Sequence, residues 1–167
     1  MFNDPEWASQ EEWEAYAWFG FTISEAQTVE RQLLLIAVAI KNAEAPPGQS
    51  ENLWFELKDK WGHLTLGQLR RHLEPYGVLA DDLLEMLSRA VAARNVLAHE
   101  FFMPRTVNGG EHSPRMAKQQ LQKAASLFSN LSTRLELLLL PLIEKLHVQR
   151  AALELETDRQ QIGARHR

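Results

Sequence analysis

The apolar residues of this chain recur every three or four positions, and no stretch alternates apolar and polar residues for long enough to make a strand. That feature restricts the fold to the all-α class: an antiparallel bundle of about five helices joined by short connections. The 167 residues and 19.2 kDa suffice for one domain with a proper core. We read residues 1–156 as that domain and 157–167 as a frayed C-terminal tail. There is no cysteine, which removes disulfide, thiolate-metal and cysteine-nucleophile chemistry together. The longest apolar runs, Leu33–Ile40 and Leu137–Ile143, fall far short of the ~20 residues of a membrane span. No basic stretch followed by an apolar one opens the chain, so a cytoplasmic location and no membrane partner are expected.

Punctuating residues divide the helices. Asp4-Pro5-Glu6 reads as an N-cap, a first-turn proline and a first-turn acid, opening a short aromatic helix that ends near Gly20. Ser24 with Gln27 opens a second helix to about Ala43, followed by the loop Glu44–Ser50. A helix over about 52–61 comes next, then one capped by Thr65, carrying Leu66, Leu69 and Leu73 and ended by Pro75-Tyr76-Gly77. A further helix spans about Ala80 to Phe101, and the loop Pro104–Ser113 leads to a helix from Pro114 to about Glu156, with Pro141 as a kink point.

The helix from Ala80 breaks its own pattern. With Arg94 set at zero on a helical wheel, Leu83, Leu87, Ala90, Leu97 and Phe101 all lie within about 60° of it. Asn95 then sits at about 100° and His99 at about 140°, one turn apart and able to touch. An arginine in an apolar seam is costly unless its charge is paired or the seam opens onto an anion. The group offers a cation for phosphate, an amide to position it and an imidazole to move protons near neutrality. A purely structural account stands beside this one: Glu30 is the candidate partner for Arg94, and His99 caps its own helix.

Arg94-Asn95-Val96-Leu97-Ala98-His99, near the end of a helix in a small all-α chain, resembles the signature of the HEPN superfamily (higher eukaryotes and prokaryotes nucleotide-binding domain). That signature is an arginine, a polar residue directly after it, and a histidine a few positions on. The resemblance implies a four- or five-helix bundle that pairs as a homodimer, bringing two motifs to one cleft. It also implies a metal-independent endoribonuclease of toxin or defence type acting on RNA and needing no cofactor. On that reading His99 acts as general base or acid on the ribose 2′-hydroxyl, Arg94 stabilises phosphorane charge and Asn95 positions the phosphate. An antitoxin or nucleotidyltransferase is the implied protein partner. Many toxin members carry a tyrosine two positions after the histidine, where this chain has Phe101. Other members have lost catalysis, so the rival reading is a non-catalytic HEPN-like module that binds nucleotides or protein.

Charge and aromatic placement complete the reading. Residues 1–60 carry 11 acids and 4 bases, net −7, whereas residues 61–167 carry 11 acids and 14 bases, net +3. The overall −4 argues against a protein that coats nucleic acid everywhere and leaves room for a local anion site in the second half. Arg105, His112, Arg115 and Lys118, around the glycine-bearing loop Asn108-Gly109-Gly110, are candidate auxiliary phosphate-binding groups; the bland alternative is a solvated loop and helix face. No two of the six histidines share the i, i+3 or i, i+4 spacing of a helix-borne metal site, so no metal is expected. Seven of the 14 aromatics fall in the first 21 residues amid acids, which suits docking onto the bundle or a protein partner rather than RNA.

Overall fold

Helix α1, Gln10–Ala43, starts on a capping box in which the Ser9 hydroxyl accepts from the Glu12 amide while the Glu12 carboxylate accepts from the Ser9 amide at 2.6 Å. The computed structural model describes residues 9–45, 50–101 and 113–165; the Asp4-Pro5-Glu6 cap and nearly all of the Pro104–Ser113 loop lie outside them. Gly20 does not end a helix and Ser24 does not begin one: the two helices read from the sequence are one, 34 residues long. A mid-helix glycine costs only about 1 kcal/mol relative to alanine, and burial of Thr22, Ala26, Val29, Leu33 and Ile36 outweighs it. Thr22 strengthens the crossing, because its buried hydroxyl proton lies between the Trp18 carbonyl at 2.7 Å and the Leu121 carbonyl at 3.2 Å.

Helix α2, Ser50–Trp61, returns along α1 and delivers the chain to α3, Leu66–Leu73. Thr65 caps α3 through a second capping box with Gln68, and a 3₁₀ turn, Glu74–Tyr76, ends at Gly77 with φ 62°, as the sequence predicts. Helix α4, Asp81–Asn95, runs antiparallel to α1, and α5, Pro114–Arg165, runs parallel to α1 and antiparallel to α4. The directions follow from pairs of contacts: Glu30 with Arg94 and Phe19 with Phe101 for α4, and Glu14 with Lys118 and Thr22 with Leu121 for α5. The protein is therefore an all-α bundle; the described residues form five α-helices and no strand.

The core sits where α1 meets α5. Leu121, Phe128, Leu131 and Leu135 of α5 are fully buried against Val29, Leu33 and Ile36 of α1. Helix α5 extends to Arg165, and residues 151–162 hold neither proline nor glycine. Pro141 sits inside α5 on its exposed side, next to Leu137 and Leu140, where water can take up the carbonyl the proline leaves unbonded. No described helix is long and apolar enough to cross a membrane.

Gly62, just past α2, is required by space. A Cβ there would stand 2.8 Å from the Lys58 carbonyl oxygen, a backbone atom with no freedom to move away. Gly62→Ala is therefore expected to destabilise the fold by about 1–2 kcal/mol in urea unfolding, through strain at the end of α2.

Candidate functional site

The motif helix changes its hydrogen-bonding register within the motif, with no change of hand. Helix α4 is regular as far as Asn95; Val96–Glu100 then forms a π turn, closed by the Phe101 amide donating to the Val96 carbonyl at 2.7 Å. A turn closed over five residues is wider than an α-turn, so each residue on it advances by less than the α-helical 100°. His99 therefore lies nearer the direction of Arg94 than a regular helix would put it. Asn95 and His99, able to touch in the α-helical register, make no hydrogen bond to each other. Single π turns inside α-helices occur frequently at functional sites.

Packing explains why the turn forms there. Leu97 and Phe101 are buried and Phe101 stacks on Phe19 of α1, with ring centroids 5.4 Å apart. The core thus holds both ends of the π turn while Asn95, Val96, Ala98 and His99 stay exposed.

Arg94 is half-buried, and its Nε donates to Glu30 Oε1 at 3.2 Å. The partner anticipated from sequence is the one the fold supplies. The same Glu30 oxygen also accepts from the Leu66 amide at 3.2 Å, at the first residue of α3. Sequence reasoning does not find this second bond, since Thr65 and Gln68 already account for the cap. One carboxylate thereby ties α1, α3 and α4 at the level of the motif. Because Glu30 takes Nε, the two terminal nitrogens of Arg94 have no partner among the described residues and remain a fork for a planar or tetrahedral anion.

Two of the four auxiliary groups, Arg115 and Lys118, fall among the described residues. Arg105 and His112 lie outside the described residues, and Arg115 is exposed near the start of α5. Lys118 is committed to α1: its Nζ donates to Glu14 Oε2 at 2.6 Å, which takes it out of service as a free phosphate ligand. Among the described residues no three His, Asp or Glu side chains cluster in a way that could hold a metal ion. Comparison with protein-family models, with curated proteins and with solved structures finds no match to this chain.

Three surface carboxyls sit below the usual carboxylate range. The Ser9 backbone amide does this for Glu12, the Lys118 hydrogen bond for Glu14 and the Arg134 hydrogen bond for Asp82. A carboxyl lowered in the folded state stabilises it above the unfolded value, near 4.5 for Glu, and that contribution is lost as pH falls through the lowered value. The thermal midpoint is therefore expected to drop as pH falls below about 4.5, with Glu14→Gln and Asp82→Asn together flattening the drop. A midpoint with the same pH slope in the double variant contradicts these assignments.

Proposed function

We propose that this chain is an HEPN-like, metal-independent endoribonuclease of toxin or defence type, working on RNA as a homodimer through Arg94, Asn95 and His99. The observation that carries the reading is the π turn, which keeps Asn95 and His99 exposed beside an arginine whose Nε is anchored and whose terminal nitrogens are unspent. The chemistry matches those groups. Histidine accepts the proton of a ribose 2′-hydroxyl, and the 2′-oxygen forms a bond to phosphorus. The bond from phosphorus to the 5′-oxygen breaks, and a protonated histidine returns a proton to that oxygen. The products are a 2′,3′-cyclic phosphate and a 5′-hydroxyl. The arginine fork and the asparagine amide meet the charge that builds on the phosphorane oxygens.

One observation favours the second reading, a non-catalytic HEPN-like module that binds nucleotides or protein. Phe101 is buried and stacked on Phe19, so the position two after the histidine serves packing. Incubating the purified chain with mixed RNAs in EDTA and analysing the ends of any fragments separates the two. Fragments ending in 2′,3′-cyclic phosphate support the nuclease. Intact RNA, with retention of a labelled nucleotide, transfers the site to the binding module.

A further inference from the structure

We infer that Arg31 of α1 is a second RNA-binding group, taking the phosphate next to the one that Arg94 meets. The inference rests on reading the motif as an RNA site and adds to it a residue outside the motif. The contacts of α1 fix where Arg31 stands. Thr22 bonds to the Leu121 carbonyl, and Val29, Leu33 and Ile36 share the core with α5, so that side of α1 is closed. Glu30 meets both Arg94 of α4 and the Leu66 amide of α3. Helical rotation then carries Gly20, Ser24, Gln27 and Arg31 to a strip centred about 90° from Glu30, on the side away from α5. All four are exposed, and nothing stands within 4 Å of a Cβ added to Gly20.

The motif opens on the same side. A Cβ added to Gly67 of α3 would stand 3.4 Å from Val91, so Val91 marks the α3 side of α4. Asn95 follows Val91 by one turn and is exposed there. Helix α3 starts level with Glu30 and runs on toward Lys41, whose Nζ stands 4.9 Å from the centre of the Tyr76 ring. It therefore leaves the strip open from Gly20 to Gln27. The strip runs from the level of the Phe19–Phe101 stack to Arg31, which adjoins the Glu30–Arg94 pair in the chain.

Charge selects a polyanion as the occupant. Arg31 makes no hydrogen bond or ion pair among the described residues, whereas Lys118 is paired with Glu14 and Arg134 with Asp82. Gln27, Thr28, Leu34 and Leu35 fill the positions three and four away, so its own helix offers Arg31 no carboxylate. Each carboxylate of α1 lies about 90° or more from the middle of the strip, and that of Glu30 is already bonded to Arg94. Two guanidinium groups with unspent nitrogens thus stand on one side of the bundle, with the Gln27 amide and the Ser24 hydroxyl along the strip. Such groups suit consecutive phosphates and sugars of a single strand.

Fluorescence anisotropy of a labelled single-stranded 2′-O-methyl RNA, which lacks the attacking hydroxyl, tests the inference across a range of salt in EDTA. Arg31→Ala is expected to weaken binding about tenfold, the size of one lost hydrogen bond between charged groups. The slope of log affinity against log salt should become shallower by about 0.7, the value for one phosphate contact on a single strand. Arg31→Lys should keep the slope. Arg89→Ala, exposed about 120° around α4 from Asn95, should change neither quantity. With cleavable RNA, Arg31→Ala should raise KM about tenfold at unchanged kcat. An Arg31→Ala protein with wild-type affinity and slope overturns the inference, even where the wild type cleaves RNA. A loss matched in Arg89→Ala overturns it equally, because net charge alone then accounts for the effect. A wild type that binds the analogue with the Arg31-dependent slope but leaves cleavable RNA intact fails the nuclease reading and sustains this one. A wild type that does not bind the analogue overturns the inference.

Discussion

His99→Ala is expected to lower RNA cleavage by about 10²- to 10⁴-fold while leaving the bundle intact, the range expected when a general acid–base group is removed. The fold should not notice the change. His99 is exposed, makes no hydrogen bond among the described residues and contributes nothing to the core. Arg94→Ala is the companion variant and behaves differently. It removes the anion fork, expected to cost a further 10²- to 10³-fold in rate, about the size of losing one preorganised donor. It also leaves Glu30 with only the Leu66 amide, so a loss of about 1 kcal/mol in stability accompanies it. Arg94→Lys separates the two roles, because an ammonium can pair with Glu30 or reach an anion but cannot present Nε to one and a fork to the other. Cleavage in EDTA that persists undiminished in folded His99→Ala and Arg94→Ala proteins would remove the motif from the chemistry and the nuclease reading with it. Equal helical content and equal mass in all three proteins make either result interpretable.

Phe128→Ala should carry the largest stability effect of any single truncation, about 3–5 kcal/mol in denaturant unfolding. Phe128 heads the fully buried side chains and lies on α5 in the core it shares with α1. Removing the ring costs its transfer free energy, and a cavity remains because helices held on both sides by Leu33, Leu121 and Leu131 can close only in part. For a domain whose whole stability is about 5–15 kcal/mol, that loss approaches unfolding at physiological temperature. A midpoint shift worth less than about 1 kcal/mol would mean that Phe128 is not at the centre of the packing. Leu137→Ala is the control: Leu137 is 69% exposed on the same helix, and its truncation should leave the midpoint nearly unchanged.

How far the sequence is legible differs from element to element. Leu121, Phe128, Leu131 and Leu135 recur at spacings of seven, three and four, so the helical period that sets the fold class also sets the buried face of α5. Thr65 with Gln68 and Pro75-Tyr76-Gly77 are read correctly because capping and turn chemistry are local: a side chain satisfies a backbone group a few residues away. Gly20 and Ser24 are misread for the opposite reason. Their local preferences favour a break, and long-range burial of α1 against α5 overrides them.

The sequence by itself determines the helical class, the loops after Ala43 and Gly77, and the conflict at Arg94, since each follows from periodicity or from a residue's own backbone chemistry. The Glu30 partner is legible too, because a cation aimed into an apolar seam needs a carboxylate and α1 offers one on a facing side. Only the tertiary structure decides that one glutamate oxygen serves both Arg94 and the start of α3, that Lys118 is spent on Glu14, and that the motif sits on a π turn. A π turn costs its helix the preferred bonding and forms only when neighbours hold both ends, here the seats of Leu97 and Phe101 in the core. Such seats belong to residues far apart in the chain, and spacing within one helix carries no record of them.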